Sequence, residues 1–184
     1  MSQQSLSTFL HASLLVRDIH GHYLPATDKQ ILDAACQIID LKMQRGAQFT
    51  AASSTRDYLS VKLANYEREV FVVLFLDMQN RLIEYAEMFH GSIGSTEVHP
   101  REIVKKAMQN NAAAVILAHN HPSGNAKPSD ADRKITQHIR EALSLVEVRT
   151  LDHIIVGGND TISFAEHGWL GTVAKLAMRQ PFVL

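Results

Sequence analysis

The chain has 184 residues, 46% of them hydrophobic and 20% charged, with a formal net charge of -1. That balance allows one ordinary core and excludes the positive field that draws proteins to DNA, RNA or an anionic membrane. The lone Cys36 excludes an internal disulfide framework, the longest apolar runs (Val70 to Leu76, Ala112 to Ala118) are too short to span a bilayer, and Met1 to Phe9 has no signal-peptide pattern, so residence in the cytoplasm is expected.

Thr27-Asp-Lys-Gln30 reads as a capping box that opens a helix through about Met43, with Ile31, Leu32, Ala35, Ile38 and Ile39 on one face. Cys36 falls in that apolar stretch, where it is read as a small buried hydrophobe rather than a nucleophile. Residues 47–54 suit a linker, and a second helix from about Thr55 to Asn65 turns Tyr58, Leu59 and Leu63 inward. The main domain is expected to begin here, spanning 51–170, after an N-terminal helical extension (1–50) and before a C-terminal tail (171–184). Val70 to Asp77 and Arg81 to Phe89 are strand-like and joined by the turn-prone Met78-Gln-Asn80, which predicts a hairpin. Pro100 suits the first turn of a helix to about Asn110, and Ala112 to His119 reads as a central strand. Ser129 is the natural N-cap of a helix that buries Ile135, Ile139, Leu143 and Val146. A strand from Thr150 to Val156 and a short return strand, Thr161 to Phe164, follow; the tail from Ala165 is expected to be helical. This order indicates a mixed sheet covered by helices.

His119-Asn-His121 closes the central strand. Strand side chains alternate, so both imidazoles project to one side, close enough to share an ion. Neutral imidazole suits zinc, and a third, oxygen ligand would leave a tetrahedral ion one open position, as catalysis requires. Asp132 is the obvious third ligand. It also sits in the first turn of its helix, where the dipole and free N–H groups favour a carboxylate by about 0.3–1 kcal/mol. A second His-x-His, His20-Gly-His22, is read as a solvated loop.

Taken together, His119-Asn-His121-Pro-Ser-Gly124 and Pro128-Ser129-Asp-Ala-Asp132 resemble the JAMM/MPN metalloprotease motif in the form found in RadC proteins. The resemblance runs from about Ser54 to Phe164 and takes in Glu69-Val-Phe71, Leu74-Phe-Leu-Asp77, Asn80-Arg-Leu-Ile83, His99-Pro-Arg-Glu102 and Leu151-Asp-His-Ile-Ile-Val-Gly157. It implies a three-layer α/β fold, a mixed sheet flanked by helices, related to cytidine deaminases. It also implies one zinc ion per chain on His119, His121 and Asp132, a general base at the position of Glu69, and a peptide or protein substrate. Glu67 is the nearby competitor for the base. In such a site Glu69 takes a proton from the attacking water and returns it to the leaving amine, while the Ser129 hydroxyl helps hold the oxyanion. Asp152-His153 also matches the family pattern: it either orients a zinc ligand or is a strand pair satisfied on its own, and it stays outside the expected site. Arg101 and Glu102 either line the cleft or simply open a helix.

A nucleobase deaminase shares this architecture but needs a Pro-Cys-x-x-Cys that one upstream cysteine cannot supply. Metal-dependent barrels that use His-x-His take about 250 residues in recurring strand-helix units. The remaining rival is a DNA-repair-associated or protein-interaction module that keeps the fold without peptidase activity. Longer RadC proteins carry an N-terminal helix-hairpin-helix region that Met1 to Thr50 does not match. With the near-neutral charge, direct nucleic-acid binding is not expected.

Overall fold

Two strands in which all seven residues are buried, Val70–Leu76 and Ala114–Asn120, lie side by side within the five-stranded sheet. Both faces of such strands must be covered, and this requirement sets the three-layer architecture. The structure, a computed structural model, describes residues 14–42, 46–49, 52–64, 66–91 and 97–171. The chain divides into two units, Met1–Lys42 and Met43–Leu184.

In the first unit, β1 (Leu15–Arg17) and β2 (Tyr23–Pro25) pair as an antiparallel hairpin, with His20-Gly-His22 in its turn. α1 (Asp28–Lys42) follows. Its start is fixed as the sequence predicts: the Gln30 side chain accepts from the Thr27 N–H at 2.9 Å, and the Thr27 hydroxyl accepts from the Gln30 N–H at 3.3 Å.

The second unit contains α2 (Ala52–Leu63), β3 (Val70–Leu76), β4 (Leu82–His90), α3 (Pro100–Gln109), β5 (Ala114–Asn120), α4 (Asp130–Ser144), β6 (Arg149–Gly157) and β7 (Asp160–Ser163). The sheet order is β4-β3-β5-β6-β7; β5 and β6 run parallel and every other neighbouring pair is antiparallel. The mixed sheet flanked by helices is the fold the family resemblance implies. On one face Phe71, Val73, Phe75, Val115 and Leu117 pack against Ile103 and Ala107 of α3 and Ile139 and Leu143 of α4. On the other, Tyr58 of α2 packs edge-on against Tyr85, which stands opposite Leu74 across the β3–β4 ladder. Leu59 and Leu63 of the same helix are fully buried.

One expectation is corrected. The segment after Ala165 is not helical among the described residues but forms successive turns, with Gly168 N–H donating to Ala165 and Trp169 N–H to Phe164. Gly168 takes a φ of 68°, which breaks a right-handed helix, and the turns let Trp169 pack edge-on against Phe164. Residues 172–184 lie outside the described part. No helix among the described residues is long and apolar enough to cross a membrane.

Candidate metal centre

The parallel β5–β6 pair carries the chain to one end of the sheet and must return through α4, so the C-terminal end of β5 meets the N-terminus of that helix. The strand geometry persists one residue past β5, because the His121 N–H donates to the Val156 carbonyl at 2.8 Å. His119 and His121 therefore share a face, and their ring centroids lie 4.8 Å apart. Their Nε2 atoms are 2.9 Å apart. Asp132 reaches them from α4, with Oδ1 3.3 Å from His119 Nε2 and Oδ2 3.6 Å from His121 Nε2. Among the described residues these three are the group able to hold a metal ion, one donor atom of each lying within 4.8 Å of the others.

The two readings of Asp132 turn out to be compatible. Ser129 is the N-cap, and both halves of the capping box form: the Asp132 N–H donates to Ser129 Oγ at 3.1 Å, and the Ser129 N–H donates to Asp132 Oδ2 at 2.7 Å. The Ser129 hydroxyl also donates to Oδ2, at 2.6 Å. The cap thus anchors one carboxylate oxygen and leaves Oδ1 facing His119.

Each imidazole is held from behind. His121 Nδ1–H donates to the Asn125 carbonyl at 2.7 Å. The loop that carries this carbonyl lies directly on Gly157, where an added Cβ would stand 2.3 Å from the Ala126 nitrogen. His119 is 1% exposed, stacks on Phe71 with an 11° interplanar angle, and places Nδ1 2.9 Å from Nε2 of His153. His153 is fully buried on β6, and its Nδ1 meets the hydroxyl of Thr136.

Glu69 precedes β3 by one residue. The β3–β5 ladder ends with Phe71 paired to His119, so Glu69 lies just beyond it at the same end of the sheet as His121. Its negative charge contributes to raising the His121 pKa. Asn120 fixes this approach from the opposite face: its Oδ1 accepts from the Val70 N–H at 2.8 Å, and its Nδ2 donates to the Arg68 carbonyl at 2.9 Å. A cleft of about 300 Å³ opens beside His121, between Leu63 and Tyr66 on one side and Pro122 and Asn159 on the other.

The electrostatics match a cation site. Burial alone would raise the Asp132 pKa, but hydrogen bonding by His119, His121 and Ser129 and the His119 charge hold it far below the usual carboxylate range. For His121, the Asp132 hydrogen bond raises the pKa against a smaller opposing effect of burial. Burial, reinforced by the neighbouring charge of His119, pushes His153 well below the usual imidazole value.

Other residues singled out in the sequence separate here. The Asp152 side chain lies on the opposite face of β6 from the His153 ring and ties β6 to β7, accepting from the His153 N–H at 2.7 Å, the Ser163 hydroxyl at 2.6 Å and the Ala165 N–H at 2.9 Å. At the start of α3 Arg101 is exposed and Glu102 half-buried, 3.7 Å from one another. Glu67 is exposed. Thr136, Asn125 and Gly157 were not singled out from the sequence. Thr136 carried a readable signal, since it lies one helical turn beyond Asp132; the other two acquire meaning only once the loop is folded over β6.

A mixed sheet between helices, with His-x-His at a strand end and Asp at the following helix start, defines a JAB-type domain, and residues 49–169 match the RadC-like JAB domain. The chain belongs to the RadC family. A UPF0758 protein of Vibrio cholerae is 52% identical over 145 residues, covering 79% of this chain and 91% of the relative. The UPF0758 protein YfjY of Escherichia coli is 52% identical over 148 residues, covering 80% and 92%. A UPF0758 protein of Cellvibrio japonicus is 52% identical over 140 residues, 76% of this chain and 62% of its own length. None of these names states an activity.

Proposed function

We propose that this chain is a zinc-dependent hydrolase of the JAMM type that cleaves a peptide or isopeptide amide bond with an activated water, Glu69 acting as the base. The observation that carries the reading is the convergence of His119 Nε2, His121 Nε2 and the Asp132 carboxylate on one point. Zinc bonds of about 2.0–2.1 Å in a tetrahedral arrangement set neighbouring ligand atoms roughly 3.3 Å apart. The two imidazole nitrogens, 2.9 Å apart, and Asp132, with Oδ1 3.3 Å from His119 and Oδ2 3.6 Å from His121, lie near that spacing. Two imidazoles and one carboxylate form a borderline donor set that suits zinc and leaves a fourth position open.

A bound zinc ion would supply Lewis-acid polarisation of a carbonyl and acidify water toward a pKa of about 7. The remaining work belongs to the chain. Glu69, near enough to His121 for its charge to be felt there, accepts the proton of the attacking water and returns it to the leaving nitrogen. The Ser129 hydroxyl, which here donates to Asp132, turns its proton to the developing oxyanion by rotation about one side-chain bond. The cleft beside His121 gives the substrate a place to lie.

The test is amide cleavage by purified protein with and without a chelator, alongside two variants. Glu69→Gln is expected to keep zinc and lose turnover. Ser129→Ala is expected to keep zinc and lose roughly 2.7–4 kcal/mol of transition-state stabilisation, the range for one oxyanion donor. Stoichiometric zinc without chelator-sensitive cleavage of any peptide or isopeptide substrate, together with DNA or protein binding that survives His119→Ala, would replace the hydrolase reading with that of an interaction module.

A further inference from the structure

Two histidines can share one cation only if each turns a lone pair toward it, so the proton of each ring must be held on the other nitrogen. For His121 the Asn125 carbonyl does this, since a carbonyl accepts only. For His119 the partner is another histidine, whose nitrogens can donate or accept. The direction must be set further back.

It is set by Thr136. This residue is 2% exposed and stands one turn beyond Asp132 in α4, where its hydroxyl donates to the Asp132 main-chain carbonyl. A hydroxyl has one proton, so toward His153 Nδ1 it offers only lone pairs, and Nδ1 must carry hydrogen. A neutral imidazole holds one ring proton, which leaves Nε2 of His153 as an acceptor. Its partner at 2.9 Å, His119 Nδ1, is then the donor, and His119 Nε2 is left with its lone pair facing Asp132 and His121. The His153 ring cannot turn out of this role easily, packed between Phe71 at 5.5 Å and Phe164 at 4.8 Å.

We propose that Thr136 and His153 are positioning residues. Their one-way hydrogen-bond relay, running from the Asp132 carbonyl to His119, locks His119 in its Nδ1–H tautomer and presents Nε2 to the cation. The inference rests on the zinc reading of the site and deepens it. The same turn of α4 that supplies the oxygen ligand through its side chain sets the tautomer of a nitrogen ligand through its backbone.

The first measurement is independent of metal: long-range proton–nitrogen correlation spectra of the metal-free full chain at alkaline pH. His119 and His153 are expected as Nδ1–H tautomers. Thr136→Ser should keep this pattern, and Thr136→Val should lose it. A wild-type His119 that carries its proton on Nε2 overturns the relay, whatever the protein binds. The second measurement is zinc affinity by competition with a chromophoric chelator. His153→Phe keeps a ring between its neighbours but removes the acceptor, and is expected to weaken zinc roughly 10–100-fold, the range for partners of metal-bound histidine. His153→Gln, with a carbonyl oxygen in reach of His119, should recover most of that loss. Undiminished zinc affinity in folded His153→Phe overturns the proposal; if that variant does not fold, Thr136→Val carries the same expectation. A wild-type chain that takes up no zinc sinks the hydrolase reading alone, because the tautomer spectra still decide the relay.

Discussion

The chain contains two His-x-His sequences, and the structure places them in opposite physical settings. His20-Gly-His22 forms the turn of the β1–β2 hairpin, where the rings stand 6.5 Å apart, and the His22 side chain is 77% exposed. Its order comes from the backbone: Asp18 Oδ1 accepts from the N–H groups of His20 and His22 at 2.9 and 2.8 Å. At His119-Asn-His121 the rings are 4.8 Å apart, each Nδ1 is engaged from behind, and a carboxylate from another element stands in front. Spacing in the sequence is identical in the two. The difference lies in what holds the rings: only at His119 and His121 have the surroundings already removed the freedom of the imidazoles and so prepared them to share a cation.

The largest effect expected from this contrast is on metal content. Purified wild-type protein should carry one zinc ion per chain, and His121→Ala should carry none. The double substitution His20→Ala with His22→Ala should leave zinc unchanged; elemental analysis reads all three. A zinc deficit in the double variant would show that the exposed pair binds metal after all. Next in size is the stabilisation that follows binding. At a free zinc concentration one hundred times Kd, linkage adds about 2.7 kcal/mol, which for a chain of this size raises Tm by roughly 5–10 °C. Calorimetry with and without chelator should show that shift in the wild type and in the His20/His22 variant, and no shift in His121→Ala.

Gly157→Ala probes the support rather than the ligands. The added Cβ would meet the backbone of Asn125 and Ala126 at 2.3–2.8 Å, so the loop must lift from β6 and carry the Asn125 carbonyl away from His121. Overpacking of this kind costs about 1–3 kcal/mol. Weaker zinc binding should accompany the lower stability, as measured by denaturation of the metal-free chain and by chelator competition. Unchanged affinity would mean that His121 is held in place without the loop.

The same contrast explains which parts of this molecule could be read from its residues alone. Uninterrupted apolar runs identified β3 and β5 as buried strands, and Pro100 and Ser129 marked the helix starts, because periodicity and capping are local properties. The family resemblance brought His119, His121 and Asp132 together across a turn of chain that local rules cannot fold. Asp152-His153 remained ambiguous, since alternation says that two strand neighbours face opposite sides but not what waits on either side. His153 meets His119, and Asp152 meets Ser163. The β1–β2 hairpin was invisible, its strands being three residues each and largely exposed, with no alternation long enough to register. Asn125 and Gly157 depend on a loop crossing a strand some thirty positions away in the chain, a contact no window of sequence contains.

The smallest expected effect lies at the exposed motif itself. Asp18→Ala removes the acceptor of two backbone N–H groups in a turn that water can also reach, so each lost bond is worth about 0.5–1.5 kcal/mol at most. The consequence is local: amide exchange at His20 and His22 should speed up, while amides of β3 and β5 exchange as before and zinc content stays at one per chain. The opposite experiment applies the same reasoning to the buried motif, where Thr136→Val also removes one hydroxyl acceptor yet is expected to reach the metal through His153. Were Asp18→Ala and Thr136→Val to leave zinc affinity equally untouched, the two His-x-His pairs would differ only in burial, and the hydrogen bonds behind the rings would have no part in making one of them a site.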